Sequence, residues 1–422
     1  MKHQVAVVLL AGLLVREAFS FWTGHPFDFE LWVRTGYWVD RGMSPYDIVP
    51  SAPGLSFAND FSSAGESTIG YLPFWPLLLG GIYWLYSIVG FGDRFVYYFL
   101  IKQPIIVADL LLGYLIWKYA SSRRPEAARW VLSFWVFSPF TIIISSVWGM
   151  FDSVAMLPVA ASLVATRSSV KAGLEGLAIW VKSIPLVYAI PLALSGRDKA
   201  RNLALEIAIP LAGVIVPVLL LNWNVVTAFA TLGSTTNKGG QSMSLMGVFY
   251  YLQVLGVVGS WPQLLLTGVS LLWIPATLAA TILSYRWFGF ATDAGRLRSL
   301  LLCTTTFMIF KAQVNEQYAI YLLALCLLDI AVLKPGRRWV YLAITGVTMA
   351  YLLANNVDLL RFISPLYPGA VYADYVLDQS LGETRYAALM ITSIAFAALN
   401  VVYFKLIADE RTGHLFRNSR KR

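Results

Sequence analysis

Apolar residues recur in runs along the whole chain, from Val5 to Leu406, with no long polar domain between them. An α-helix needs about 20 mostly apolar residues to cross the hydrocarbon core of a bilayer. The apolar runs are 4–22, 71–90, 95–117, 130–147, 153–166, 172–182, 184–195, 203–221, 263–285, 299–315, 317–333, 339–355 and 386–406. This pattern predicts an all-α fold, a polytopic helical membrane bundle that forms a single unit over residues 1–422.

Three long polar segments interrupt these runs, at 23–70, 222–245 and 356–385. Lys and Arg concentrate in other connections, which is typical of cytoplasmic loops in membrane proteins. The basic segments are 118–129, 167–171, 197–201, 286–298, 334–338 and the C-terminal tail 408–422. We therefore predict that both termini are cytoplasmic and that the three polar segments lie on the outer face.

The run 71–90 decides the predicted topology. If it crosses the membrane, the Arg123-Arg124 loop falls outside and every later basic segment is inverted. If it lies on or dips into the outer face, all basic segments share the cytoplasmic side. We predict the second arrangement, in which 245–260 also stays outside or forms a hairpin and about 12 crossings result. Within this unit we expect an outer catalytic loop with juxtamembrane helices at 23–94, a membrane module over 1–200 and C-terminal spans over 203–407.

The composition agrees with a membrane protein. Hydrophobic residues make up 58% of the chain and charged residues 13%, whereas soluble proteins carry about 25% charged residues. A soluble enzyme and a disordered chain are therefore excluded. The net charge of +9 lies in the loops and does not form a nucleic-acid face. The first apolar run is followed by Arg16-Glu17 without an A-x-A cleavage site, which predicts an uncleaved first span.

Ionisable side chains at membrane depth are costly unless they are paired, so they are candidates for function. Arg16 and Glu17 lie in the first run, and Lys102 and Asp109 are seven residues apart on one predicted helix face. For each of these two pairs, a structural ion pair and a functional role are equally supported.

A second group of polar residues occurs at the outer ends of apolar segments. Asp152, Lys182 and Lys311 all have this position, and short runs nearby predict broken helices around a wet cavity. Asp28 and Glu30 directly follow the first run, and two carboxylates at i and i+2 can accept a proton or hold a divalent ion. The sequence thus predicts one outer cavity that collects acids and lysines.

Several short motifs occur in an order that is similar to a known superfamily. They are Asp28-Phe29-Glu30, then 36–48 (GYWVDRGMSPYDI), 71–78 (YLPFWPLL), 107–119 (VADLLLGYLIWKY), 138–153 (ending WGMFDS), 171–192 (with Lys182) and 310–325 (FKAQVNEQYAIYLLAL). This series resembles the C-type glycosyltransferases, and most closely their polyprenyl- or dolichyl-phosphate-mannose-dependent mannosyltransferases. Met150 departs from the pattern, because relatives often carry Gln there.

The resemblance implies transfer of a hexose, with mannose favoured, from a polyprenyl-phosphate donor to a lipid-linked or glycan acceptor outside the cytoplasm. Asp28 would be the base of an inverting displacement, with Glu30 as support or alternate. Cations would stabilise the leaving phosphate; the candidates are Lys182, Lys311, Lys102, Arg361 and Arg385. Sugar or acceptor contacts are expected from Asp152, Gln317, Tyr318, Trp148 and Tyr71. A divalent cation is left open, because one DxE pair supplies too few oxygens for a full ligand shell.

Two other functions are consistent with the same composition. A secondary transporter or lipid flippase also uses broken helices and ions at membrane depth. Such proteins often have internal repeats, which we do not find here, and they have little use for a long acidic outer segment after the first span. A non-catalytic assembly subunit would not need Asp28, Lys182 and Lys311 together. The sequence therefore favours the enzyme, whose partners are membrane lipids and lipid-linked sugars rather than nucleic acid.

Overall fold

The computed structural model is helical throughout the residues that it describes. These are 2–47, 52–62, 67–90, 92–196, 198–224, 226–227, 230, 241–259, 268–355 and 357–411. No β-strand occurs within these ranges. The predicted all-α membrane class is confirmed. The basic tail from 412 onward and most of the predicted outer segment 222–245 lie outside the described residues.

The helices follow the predicted apolar runs closely. In chain order they are α1 Lys2–Ser20, α2 Asp28–Asp40, α3 Phe74–Val89, α4 Arg94–Ser121, α5 Pro125–Val136, α6 Pro139–Ile142, α7 Asp152–Val164, α8 Ser168–Val181, α9 Ala189–Ala193, α10 Lys199–Leu220, α11 Leu245–Val254, α12 Trp273–Phe288, α13 Asp293–Phe310, α14 Ala319–Leu328, α15 Arg338–Asn355 and α16 Ala370–Ala408. Short 3₁₀ turns are Ile184–Tyr188, Glu316–Tyr318, Pro335–Arg337 and Val357–Ile363, and π-helical turns are Ile143–Val147 and Asp329–Leu333.

Six of the described helical segments are long and apolar enough to cross a membrane, and a bent pair of helices at 125–147 raises this number to seven. The shorter apolar helices include α3, α7 and α11. The prediction of about 12 crossings therefore remains a prediction, as does the position of the 71–90 run on the outer face. That run forms a helix of 16 residues, which is shorter than a typical span.

The predicted outer segments contain more helix than their polar composition suggested. Within 23–70, α2 is a helix of 13 residues, in agreement with the expected juxtamembrane helices. The polar segment 356–385 was interpreted as an outer loop, but its second half is helical, because α16 begins at Ala370. Polar residues there are compatible with a helix, since Asp374 pairs with Arg361 at 2.7 Å and Asp378 pairs with Arg385 at 2.5 Å.

The buried charges pair differently from the sequence-based expectation. Arg16 donates to Asp109 across two helices, with a shortest N–O distance of 2.6 Å. Lys102 instead donates to the carbonyl and hydroxyl oxygens of Thr23, at 2.6 and 2.8 Å. Two helical turns separate Lys102 from Asp109, about 10 Å along the axis, so they share a face without touching. Of the alternatives left open for these residues, structural pairing within Arg16–Glu17 and within Lys102–Asp109 is therefore not observed, and Arg16 and Lys102 have other partners.

An aromatic cluster joins α2, α3 and the turn before α7. The rings of Trp75 and Phe151 stack with centroids 4.3 Å apart, and Trp32 meets Trp75 edge-on at 5.0 Å. Tyr71 meets Phe151 edge-on at 4.9 Å. Such aromatic contacts add to the energy of burial and fix ring orientation. The cluster therefore holds the start of α2, residue 71 and the start of α7 at fixed relative positions.

Candidate active site

A cavity of about 720 Å³ opens beside this aromatic cluster. Five parts of the chain form its wall: the start of α2, the segment 67–72, the break after α8, the start of α12, and the end of α13 with the segment that follows. The lining residues are Phe27, Asp28, Leu31, Ser67, Thr68, Gly70, Tyr71, Leu72, Lys182, Ser183, Ile184, Leu186, Val187, Trp273, Phe307, Lys311, Gln313, Asn315 and Tyr318. The predicted Asp28, Tyr71, Lys182, Lys311 and Tyr318 thus border one cavity.

Asp28 is the first residue of α2 and lies at the cavity wall. The N-terminal end of a helix favours negative charge, so this position suits a carboxylate. The backbone N–H of Asp28 donates to Nδ1 of His25 at 3.1 Å, which fixes the entry into the helix. Tyr71 donates its hydroxyl to Oδ1 of Asp28 at 3.4 Å. Burial, reinforced by the negative charge of Asp28, raises the pKa of Tyr71 well above its usual value, so this tyrosine remains a hydrogen-bond donor.

Lys182 lies where α8 stops at Val181 and the chain becomes extended. Pro185 has no N–H to donate to the carbonyl of Val181, so the helix cannot continue in regular form. The Lys182 ammonium donates to Oδ1 of Asp152 at 2.8 Å. Although only 5% of its side chain is exposed, Lys182 borders the cavity.

Three aromatic rings surround the same ammonium group. The Nζ atom of Lys182 lies 4.8 Å from the ring centroid of Phe151, 5.0 Å from that of Tyr318 and 5.4 Å from that of Tyr71. At these distances each ring face attracts a cation. The rings and Asp152 therefore hold the charge of Lys182 at a fixed point of the wall.

Lys311 follows the end of α13 and begins an extended segment. Its side chain is 7% exposed, and burial lowers the pKa of this lysine from 10.5 to about 8. The ammonium group lies 5.3 Å from the ring centroid of Trp273, another residue of the cavity wall. Lys311 therefore brings a second cation to the cavity, one that can lose its proton near physiological pH.

The structure places Glu30 away from the cavity. Its carboxylate forms an ion pair with Arg34 and accepts a hydrogen bond from the backbone N–H of Phe61 at 3.1 Å. The physical reason is the helix itself: residues at i and i+2 lie about 200° apart around its axis, so the two acids of the DxE motif diverge. Glu30 was expected to support or replace Asp28 as the base, but of these two acids only Asp28 lines the cavity.

The remaining predicted site residues are also absent from the cavity lining. Arg361 pairs with Asp374, and Lys102 is occupied by Thr23 as described above. Trp148 is buried against His25, with centroids 5.0 Å apart. Gln317 is buried, and Asp152 reaches the cavity only through Lys182. The roles predicted for these residues in phosphate or sugar binding gain no support from their positions.

Several lining residues were not predicted from the sequence. Gln313 and Asn315 lie close to Lys311, and Ser67 and Thr68 come from the opposite wall. In the sequence KAQVN, polar residues alternate with apolar ones, which is the signature of an extended segment with one buried face. That signal is present, but it falls within the apolar run 299–315 that was interpreted as a helix.

No group of three or more His, Cys, Asp or Glu side chains that could hold a metal occurs among the described residues. Within the described lining, Asp28 is the one carboxylate. A single carboxylate would leave most positions of a Ca²⁺ or Mg²⁺ shell to water and substrate. The charged groups of the described lining are the carboxylate of Asp28 and the ammonium groups of Lys182 and Lys311.

Two comparisons with known proteins gave a match. Residues 105–310, a little under half of the chain, match the model of glycosyltransferase family 87. A crystal structure of ArnT from Cupriavidus metallidurans bound to undecaprenyl phosphate is similar over 98% of this chain and 78% of its own, with 12% sequence identity and a TM-score of 0.49. No curated protein sequence matches. The family match confirms the resemblance to glycosyltransferases; its range includes Asp152 and Lys182.

Proposed function

We propose that this chain, a membrane glycosyltransferase, transfers a hexose from a polyprenyl-phosphate donor to a hydroxyl group of a lipid-linked or glycan acceptor. Mannose is the favoured sugar, and the reaction inverts the anomeric centre on the extracytoplasmic side. One observation carries this proposal: a single cavity brings together the carboxylate of Asp28 and the ammonium groups of Lys182 and Lys311. A carboxylate beside two cations suits a reaction in which a hydroxyl loses a proton and a phosphate leaves.

In the proposed reaction, Asp28 accepts the proton of the acceptor hydroxyl as the oxygen attacks the anomeric carbon. The bond between that carbon and the donor phosphate breaks in the same step, and polyprenyl phosphate leaves with the electron pair. Positioned general bases contribute typically 10²–10⁴-fold to such steps. Tyr71, which donates to Asp28, orients the carboxylate for this transfer.

The two lysines stabilise the phosphate as its negative charge grows. Electrostatic stabilisation of charge that develops in the transition state is often the largest catalytic contribution. Lys182 has three N–H donors, and Asp152 accepts from one of them in the described structure. Lys311 is buried at the same cavity, and an incoming phosphate favours its charged form because opposite charges attract.

The apolar part of the wall supports a lipid-linked donor. Phe27, Leu186, Trp273 and Phe307 line the cavity with the charged residues. More than half of the Leu186 side chain is exposed, which is expected for a residue that faces lipid or a lipid tail. A donor with a charged phosphate and an isoprenoid tail could contact the charged residues with its phosphate and the apolar residues with its tail.

The proposal is tested with purified protein in nanodiscs, supplied with synthetic polyprenyl-phosphate mannose and a glycolipid acceptor extract. Mass spectrometry of glycolipids from a deletion strain would identify the acceptor class. We expect wild-type transfer and a loss of about 10²–10⁴-fold in Asp28→Asn.

Asp198→Asn is the matched control, since Asp198 is exposed and is not one of the residues that line the cavity. Full activity in Asp28→Asn would remove Asp28 from its role. In proteoliposomes of the same protein, movement of intact donor across the bilayer without transfer would favour the flippase instead.

A further inference from the structure

The segment that follows α13 has two sides, one at the cavity and one buried. Gln313 and Asn315, like Lys311, line the cavity, whereas Ala312 and Val314 between them are buried. The backbone is extended at Lys311 and at Asn315 and bends at Ala312. The segment 311–315 therefore presents one edge, made of Lys311, Gln313 and Asn315, to the cavity.

Hydrogen bonds on the buried side fix this edge in place. The backbone N–H of Val314 donates to Oγ of Ser242 at 2.8 Å, and the carbonyl of Val314 accepts from the N–H of Met243 at 2.9 Å. The Ser242 N–H in turn donates to the Tyr251 hydroxyl at 2.9 Å, and the Ser393 hydroxyl donates to the Ser242 carbonyl at 2.9 Å. Residues from α11 and α16 thus hold the back of the segment.

Asn315 lines the cavity, and its amide does not bond to the nearest local partner. Asn315 is the N-cap of the 3₁₀ turn Glu316–Tyr318, where an Asn side chain usually accepts a hydrogen bond from the turn. No such capping bond is present. Among the described residues, the amides of both Asn315 and Gln313 therefore remain available to a ligand in the cavity.

We propose that Gln313 and Asn315 are the residues that recognise the hydroxyl groups of the donor sugar and determine which hexose is accepted. This inference rests on the proposed function. Each amide offers a carbonyl acceptor and an NH₂ donor, which match the dual character of sugar hydroxyls. Residues two apart in an extended chain are separated by about 6.6 Å, which suits contacts to different hydroxyls of one hexose. Lys311, at the start of the edge, binds the phosphate next to the anomeric carbon.

The test compares donors that differ at one hydroxyl. Purified wild type, Gln313→Ala and Asn315→Ala in nanodiscs are assayed with polyprenyl-phosphate mannose and polyprenyl-phosphate glucose, which differ only at C2. We expect kcat/KM for the preferred donor to fall by about tenfold or more, because a lost hydrogen bond affects the donor that makes it. The preference ratio between the two donors should change in at least one variant.

Sugar-free polyprenyl phosphate separates recognition from general damage. Its inhibition constant should be the same in wild type and in both variants, because it contacts Lys311 but offers no hydroxyls to the amides. Gln253→Ala, at an exposed glutamine outside the cavity lining, should keep both the donor ratio and the inhibition constant. The uncharged variants Gln313→Met and Asn315→Leu remove the hydrogen-bonding groups with little change of size, so they serve if an alanine variant fails to fold.

An unchanged donor ratio in folded Gln313 and Asn315 variants would overturn the assignment while leaving the proposed function intact. An equal loss for both donors and for polyprenyl phosphate would also overturn it, since that result indicates a structural role. Wild-type protein that uses no polyprenyl-phosphate sugar would instead remove the proposed function, and the assignment with it.

Discussion

Replacing Lys311 by Arg should change how donor use depends on pH. Burial lowers the pKa of Lys311 to about 8, so the ammonium form that binds phosphate is lost as the pH rises through this value. By this pKa, about 90% of Lys311 is charged at pH 7 and about 10% at pH 9. Donor kcat/KM should therefore fall about tenfold per pH unit above 8. An arginine stays charged over the whole range, so Lys311→Arg should lack this decline.

The same burial gives a prediction for stability. A shift from 10.5 to about 8 corresponds to a cost of about 3 kcal/mol for keeping Lys311 charged in the folded protein at pH 7. The sign follows from proton binding: between pH 8 and 10.5 the unfolded chain binds more protons at this residue, so folding becomes more favourable as the pH rises. Lys311→Met should therefore raise the thermal midpoint at pH 7 while it weakens donor use.

The assay is donor kcat/KM from pH 6 to 10 in nanodiscs, with the thermal midpoint measured on the same samples. Lys199→Arg is the matched control, because Lys199 is exposed at the start of α10, and it should keep the alkaline decline. An alkaline decline of the same midpoint in Lys311→Arg would refute the assignment of that decline to Lys311. A lower thermal midpoint in Lys311→Met would refute the desolvation argument.

Three further predictions follow from the contacts described above. Lys182→Ala should raise the KM for the donor more than the KM for the acceptor, because the proposed function places the donor phosphate beside Lys182; equal increases in steady-state assays would indicate a structural lysine. Arg16→Leu should destabilise the protein by about 3–5 kcal/mol, because it leaves Asp109 buried without its ion pair; thermal unfolding in detergent measures this, and an unchanged midpoint would contradict it. Ser242→Ala should raise the donor KM several-fold with a smaller effect on the thermal midpoint, and Ser242→Thr should restore part of the affinity; loss of stability with an unchanged KM would argue against a positioning role.

The sequence predicts the helices well because each apolar run carries its own signal. The runs 95–117 and 203–221 correspond to α4 and α10 with small differences at the ends. The predicted run 299–315 contains two structures, a helix that ends at Phe310 and an extended segment after it. The helix ends there because Val314 pairs with Ser242 and Met243. That contact joins residues about seventy positions apart, so it cannot be predicted locally; the one local sign of the extended segment is the alternation of polar and apolar residues in KAQVN.

The prediction of site residues succeeded where local sequence rules determine the backbone. It failed where a partner elsewhere in the fold determines the position of the side chain. Lys182 was identified from its position between two short apolar runs, and Pro185 explains the break locally. Glu30 was grouped with Asp28 because their segment was interpreted as a loop, in which i and i+2 can converge. The formation of α2 separates them, and Arg34, one turn further along the same helix, pairs with Glu30.

The two lysines of the cavity share a structural origin that links the fold to the proposed chemistry. Each lies at the first extended residue after a helix, α8 for Lys182 and α13 for Lys311. A regular helix would direct its side chains outward around its axis and could bring few of them to one point. Where the helix stops, the backbone turns toward the cavity, and the exposed polar groups of the helix end are compatible with a wet surface but not with lipid. Two interrupted helices can therefore supply a pair of cations beside a membrane, provided that both helix ends border the same cavity. Here both lysines line one cavity.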